Sequence, residues 1–160
     1  MSILLCKEDM GETAHQLFQR DGTVPEQDGV TANHRILLID DSPLVVEAIR
    51  EGLEDDQVNV EGVVDLAALD QTEGLEGFDL IMIDVQMPAM FGDDVAMVIR
   101  QGRSVQTPIL LLSSLPEPEL AARARDAGAD GYISKRRGID NVVDEIRAWL
   151  NGTKRRQDQA

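Results

Sequence analysis

Residues 80–84 read LIMID, and residues 36–41 read ILLIDD. In each stretch an uninterrupted apolar run, typical of a strand covered on both faces of a sheet, ends in carboxylates. Because the carboxyl ends of parallel strands meet at one edge of a sheet, Asp40, Asp41 and Asp84 are expected to share one acidic pocket. Crowded carboxylates raise each other's pKa unless a cation joins them, and Mg²⁺ prefers oxygen ligands of this kind. The pattern therefore predicts a Mg²⁺ site.

Short apolar strands and amphipathic helices alternate along the rest of the chain. Strands are predicted at about residues 35–39, 58–64, 79–83, 108–112 and 131–134, and the second has the alternating pattern of an edge strand. Helices are predicted from Pro43, at about 66–73, at about 92–101, from Ser114 and at about 139–150. Five strand–helix units imply an α/β fold, a doubly wound five-stranded parallel sheet with helices on both faces.

Local signals predict how two of these helices begin and which face a third one buries. Ser42 followed by proline predicts the cap of the first helix. Ser114 with Glu117 three residues later predicts a capping box for the fourth. In the third helix, Val95, Val98 and Ile99 are predicted to face inward.

The chain is predicted to divide into an extension, a domain and a tail. Residues 1–33 read as an N-terminal extension, with a short amphipathic helix within 10–18 and a linker of polar, glycine and proline residues at 21–33. Residues 34–151 form the predicted domain, and 152–160 a solvated tail with no output domain after it.

The composition excludes several classes of partner. The 160 residues carry a net charge of −15, which argues against binding to nucleic acid or to anionic membranes. No apolar run approaches the roughly 20 residues of a membrane span. Cys6 is the only cysteine, so no internal disulfide can form. These features predict a cytoplasmic protein. We expect a monomer or a weak dimer, although the composition does not decide between them.

The order of polar residues at the strand ends resembles the receiver domain of two-component response regulators, and most of all the stand-alone, chemotaxis-type regulators. An acid pair follows the first strand, and Asp84 opens an Asp-x-x-Met-Pro-x-x-x-Gly segment after the third. Ser113 ends the fourth strand, while Tyr132 and Lys135 lie on and just after the fifth. Each element is weak alone, since it would also suit a turn, a cap or a core residue. Five in the right order are specific.

The resemblance implies a flavodoxin-like fold with strand order 2-1-3-4-5. It also implies that Asp84 accepts a phosphoryl group from a histidine kinase or phosphotransfer protein, with Lys135 and Ser113 as partners of that group. Mg²⁺, or Mn²⁺ in its place, would be held by Asp41 and Asp84, with Asp40 acting through water and the backbone carbonyl of Gln86 as a further ligand. Such a protein takes part in its own phosphotransfer and dephosphorylation without being an enzyme in the usual sense.

The resemblance further implies a switch, in which Ser113 and Tyr132 respond to the phosphoryl group. The readout face would be the fourth helix, fifth strand and fifth helix, where a downstream protein would bind. On this chain the face includes Arg123, Arg125, Tyr132, Arg136 and Arg137. A basic patch of this kind suits an acidic partner, or it is a solvated surface.

One residue departs from the family's pattern, and two other functions stay open. Arg136 stands where the family has a proline, so the Lys135–Arg136 peptide is expected to be trans. One alternative is a receiver-like module that binds partners without phosphorylation. The other is a Mg²⁺-dependent phosphohydrolase with an aspartate nucleophile, a class that has Asp-x-Asp after its first strand and a cap domain.

Overall fold

The computed structural model describes residues 34–69, 72, 74–102 and 105–152. All of them belong to the unit Thr31–Ala160. The helix predicted within 10–18 and the linker predicted at 21–33 lie outside the described residues, as does most of the predicted tail. The boundaries of the extension and the tail therefore stay predictions.

Five parallel strands form one sheet in the described part of the chain, in the order β2-β1-β3-β4-β5. The strands are β1 His34–Ile39, β2 Val58–Val63, β3 Leu80–Asp84, β4 Ile109–Ser113 and β5 Gly131–Ser134. Both the order and the flavodoxin-like, doubly wound α/β class are those predicted, and each strand ends within one residue of its predicted bounds. The second strand lies at an edge, as its alternating pattern indicated.

The described residues contain five α-helices, of which four connect successive strands and the fifth follows β5. They are α1 Pro43–Gly52, α2 Leu66–Leu69, α3 Gly92–Gly102, α4 Glu117–Asp126 and α5 Ile139–Leu150. Short 3₁₀ turns occur at Glu54–Asp56, Leu75–Gly77 and Lys135–Arg137. The second helix, predicted at about 66–73, is a short one of four residues.

Two hydrophobic clusters cover the two faces of the sheet, because successive side chains of a strand point to opposite faces. On one face Leu37 and Ile81 lie in the cluster that α3 and α4 complete. On the other face Leu38 and Met82 lie in the cluster that α1 and α5 complete. Both faces of the central strands are therefore buried, which explains why their sequences are continuous apolar runs.

The inward face predicted for α3 is partly wrong. Val95 and Ile99 are buried, but Val98 is 62% exposed and Ala96 takes its place in the core. At about 100° per residue, positions 95, 96 and 99 span one arc of the helix, and position 98 lies outside that arc. Because alanine is only weakly apolar, the sequence pattern did not indicate Ala96 as a core residue.

The capping predictions also need correction. Helix α4 begins at Glu117 with Pro116 at its N-cap, and no side chain caps it, so the Ser114 capping box is wrong. The Leu115 amide instead donates to the Ser113 hydroxyl, at 3.2 Å. Ser42 does precede α1 as its N-cap, with no hydrogen bond from a backbone amide to its side chain.

Candidate functional site

The buried carboxylates of Asp40 and Asp84 lie side by side at the carboxyl ends of two central strands. Ile39 of β1 pairs with Ile83 of β3, so Asp40 and Asp84 follow matching positions of neighbouring strands. Their exposed fractions are 1% and 4%, whereas Asp41 is exposed. One carboxylate oxygen from each of the three lies within 4.8 Å of the others. The structure thus brings together the acidic cluster that the sequence predicted, in an arrangement that could hold a metal ion.

Lys135 reaches this cluster from the end of β5. Its ammonium group donates to Oδ2 of Asp40 at 2.6 Å and to Oδ1 of Asp84 at 3.0 Å. The described residues contain no cis peptide bond, so the expected trans peptide between Lys135 and Arg136 is confirmed. The Arg136 amide donates to the Ser134 hydroxyl at 3.3 Å, a bond that proline could not make. This turn supports Lys135 without the family's proline.

Asp40 and Asp84 have different surroundings. Asp40 accepts the Ser42 amide on Oδ1 and Lys135 on Oδ2, so both of its oxygens are engaged. Burial raises the pKa of the Asp84 carboxyl; the nearby Lys135 ammonium opposes this rise, and the Asp40 charge adds to it. A buried carboxylate with a raised pKa and one cationic neighbour is a candidate functional group.

Gly92 is required by the close packing of the loop that follows Asp84. Its amide donates to the Val85 carbonyl at 3.0 Å, which folds the loop back on the end of β3. A Cβ atom on Gly92 would lie 2.0 Å from the Asp84 carbonyl oxygen, a distance too short for any side-chain carbon. The glycine that closes the Asp-x-x-Met-Pro-x-x-x-Gly segment therefore packs directly on the backbone of the central aspartate.

Ser113 lies beside this cluster on β4, one position past the residue that pairs with Asp84. It is fully buried, and its hydroxyl donates to Oε1 of Gln86 at 3.3 Å. The backbone amide of Gln86 faces the Asp84 carboxylate and opposes the rise of its pKa. Tyr132 is partly buried on β5 and packs against the cluster that α3 and α4 complete. The Gln86 side chain is thus the partner that holds the Ser113 hydroxyl beside the acidic cluster.

The predicted basic face is less basic than the sequence suggested. Arg123 pairs with Asp93 and Glu119, and Arg137 pairs with Glu117. Among the arginines of this face, Arg125 and Arg136 are exposed with no ion pair described. The Arg123–Asp93 pair could not be predicted from the sequence, since residues 30 positions apart give no local signal.

The fold and the acidic pocket at its carboxyl edge define a flavodoxin-like domain built around a buried aspartate. Residues 36–147 match the family model of the response regulator receiver domain, and the chain belongs to that family. It is therefore a receiver of two-component signalling and not a classical enzyme. The match favours neither the phosphorylation-independent module nor the phosphohydrolase.

The curated relatives are longer proteins. The response regulator protein PmrA of Pseudomonas aeruginosa is 32% identical over 119 residues, covering 74% of this chain and 53% of that protein. The activator EvgA of Escherichia coli, named as DNA-binding, is 32% identical over 118 residues, covering 72% of this chain and 57% of that protein. The chain thus spans about half the length of the curated relatives it matches.

Solved structures show the same fold. The chemotaxis protein CheY4 of Vibrio cholerae aligns with a TM-score of 0.59 at 27% identity, covering 71% of this chain and 96% of that one.

Among the described helices, none has both the length and the apolar character needed to cross a membrane.

Proposed function

We propose that this domain accepts a phosphoryl group on Asp84 from a histidine kinase or phosphotransfer protein, and that the modification changes its binding to a downstream protein. The observation that carries this proposal is the buried Asp84 carboxylate, held by Lys135 at 3.0 Å inside a cluster of three aspartates. Membership of the receiver family supports the same reaction.

The donor set fits a Mg²⁺ ion, with Mn²⁺ as a substitute, because it consists of carboxylate and carbonyl oxygens. Asp41 and Asp84 would bind the ion directly, together with the backbone carbonyl of Gln86. Asp40 would act through water, since Ser42 and Lys135 already engage both of its oxygens. When bound, the ion offsets the negative charge of the carboxylates and of the incoming phosphoryl group.

The transfer forms one bond and breaks another. A carboxylate oxygen of Asp84 attacks phosphorus, and the bond between phosphorus and the donor's histidine nitrogen breaks, so the electron pair stays on the leaving nitrogen. The phosphoryl group brings a charge of about −1.5 to −2. Lys135 is placed to offset that charge, and hydrolysis of the resulting acyl phosphate by water would return the domain to its starting state.

The Ser113 hydroxyl has to change partner for the switch to operate. In the structure it donates to Gln86. A phosphoryl group on Asp84 would offer stronger, charged acceptor oxygens, and the hydroxyl would leave Gln86 for them. Tyr132, on the neighbouring strand, would turn inward with this change. The surface formed by α4, β5 and α5 would then present a different shape to a partner.

The proposal is tested by intact-protein mass after incubation with acetyl phosphate, with and without Mg²⁺. Wild type is expected to gain one phosphoryl group only with Mg²⁺. Asp84→Asn, which keeps the shape of the side chain but lacks the nucleophilic carboxylate, is expected to gain none. Asp126→Asn, at an exposed position of α4, is the matched control and should gain the group as wild type does. Equal gain in the Asp84 variant would contradict the proposal.

A further inference from the structure

Arg123 contacts two residues of the segment that follows Asp84. Its guanidinium group donates to Oδ2 of Asp93 at 3.0 Å and lies 5.6 Å from the centroid of the Phe91 ring. Glu119, one turn earlier on α4, accepts two further hydrogen bonds from it at 3.3 Å. Phe91 and Asp93 are the two chain neighbours of Gly92. A side chain of α4 therefore holds the chain on both sides of this glycine.

The contacts of Arg123 with Phe91 and Asp93 affect the position of the Asp84 backbone. Gly92 packs on the Asp84 carbonyl so closely that a Cβ atom would lie 2.0 Å from the carbonyl oxygen. If the chain moves at residues 91–93, the backbone of Asp84 therefore has to move with it. Otherwise a gap opens beside Asp84.

The Arg123–Asp93 pair is also less exposed to solvent than most of the ion pairs among the described residues. The side chains are 31% and 22% exposed, whereas the Arg137–Glu117 pair is 61% and 46% exposed. Fully exposed pairs contribute little because water and salt screen them. The half-buried geometry, with an aromatic ring as a further contact, suits a fixed connection between α3 and α4.

We infer that Arg123 is a positioning residue that ties helix α4 to the Asp84 loop and makes phosphoryl acceptance depend on where α4 lies. This inference rests on the proposed function, because its effect is on the reaction at Asp84. It also gives Arg123 a role different from the one its sequence position indicates. The residue acts within the domain and is not a free contact for an acidic partner.

The connection works in both directions, because coupling between two sites is reciprocal in free energy. A partner that binds α4 and moves it would disturb residues 91–93 and change how readily Asp84 accepts a phosphoryl group. Conversely, a rearrangement around a modified Asp84 would be passed to α4 through Phe91, Asp93 and Arg123.

The first test compares Arg123→Ala with Arg125→Ala, an exposed arginine of the same helix, in the 160-residue chain. The measurement is the initial rate of mass gain with acetyl phosphate and Mg²⁺. Small misplacements can cost up to about 100-fold in rate, and we expect Arg123→Ala to lose at least about fivefold while Arg125→Ala stays within about twofold. Arg123→Lys keeps the charge opposite Asp93 and should recover part of the loss.

The second test asks whether Arg123 acts through Asp93. Asp93→Ala should slow the reaction as Arg123→Ala does, and the double variant should be no slower than the slower single variant. Asp94→Ala, which removes the neighbouring exposed acid of the same helical turn, is the control and should react as wild type does. Fully additive losses in the double variant would overturn the inference.

The third test needs no phosphorylation. Hydrogen exchange of the backbone amides at 85–92 should be faster in Arg123→Ala than in Arg125→Ala, because the loop has lost its contact with α4. If wild type accepts a phosphoryl group, and Arg123→Ala matches Arg125→Ala in both rate and exchange, Arg123 does not position the loop. If wild type accepts none, the proposed function fails, and the exchange comparison still decides whether the connection exists.

Discussion

The ammonium group of Lys135 lies 3.0 Å from Oδ1 of Asp84, and the same group lies 2.6 Å from Oδ2 of Asp40. One lysine thus holds two buried carboxylates at the edge of the sheet. The ammonium group offsets part of their negative charge. It also bonds to carboxylate oxygens that could otherwise coordinate a metal ion, so it competes with the ion for them. Lys135 should therefore oppose metal binding while assisting phosphoryl transfer.

Lys135→Ala is expected to change these two properties in opposite directions. Without the ammonium group the pocket is more negative, so Mg²⁺ should bind as tightly as in wild type or more tightly. The rate of phosphorylation by acetyl phosphate should fall, because no cation from β5 offsets the phosphoryl charge. Calorimetric titration with Mg²⁺ and intact-protein mass provide the two readouts. Weaker Mg²⁺ binding in Lys135→Ala than in the exposed-site control Arg136→Ala would contradict this account.

Gly92→Ala is expected to damage both stability and phosphorylation. The new methyl group would meet the Asp84 carbonyl oxygen, and backbone atoms have little freedom to move away. Overpacking of this kind costs about 1–3 kcal/mol. Gly102→Ala, at the other end of α3, meets nothing within 4 Å and should be neutral or stabilising. Urea unfolding compares the two variants, and equal stability would show that the packing at Gly92 is not tight.

The pKa of Asp84 predicts how stability varies with pH. Burial raises this pKa in the folded state, so folding favours the protonated carboxyl. The free energy of unfolding should therefore fall as pH rises from the ordinary carboxyl value of about 3.9 through the raised value. Asp84→Asn removes this loss, so it should be more stable than wild type near neutral pH and lose that advantage in acid. Urea unfolding over a pH series measures the difference; an offset independent of pH would disagree.

Ser113→Ala is expected to separate phosphorylation from its consequence. The variant should still accept a phosphoryl group, because Asp84 and Lys135 are unchanged. It lacks the hydroxyl that would leave Gln86 for the phosphoryl oxygens, so hydrogen exchange in α4 should respond less to phosphorylation. Ser114→Ala, the exposed neighbouring serine, should respond as wild type does. A full response in Ser113→Ala would exclude the hydroxyl from the switch.

Much of the fold and the acidic cluster could be predicted from the sequence, because both depend on short-range patterns. Continuous apolar runs mark strands buried on both faces, and a carboxylate after such a run has to lie at the carboxyl edge of the sheet. Asp40 and Asp84 follow from these rules without knowledge of the helices. The strand order is different in kind, since it came from the resemblance to a family.

The remaining features depend on distances that a sequence does not carry. Arg123 and Asp93 meet only because α3 and α4 pack side by side, and the sequence indicated a free basic surface instead. Val98 is exposed because its position lies outside the buried arc of α3, to which Ala96 belongs. The role of Gly92 depends on how closely a folded loop approaches the strand before it. Each is a matter of packing geometry and not of residue type.

The most direct test of the central claim is to locate the modified atom. Borohydride reduces an acyl phosphate of aspartate to homoserine, and peptide mass spectrometry can read the position of that change. After treatment with acetyl phosphate and Mg²⁺, the account predicts homoserine at position 84 and at no other aspartate. Homoserine at position 40 or 41, or a phosphoryl group that survives reduction on another side chain, would contradict it.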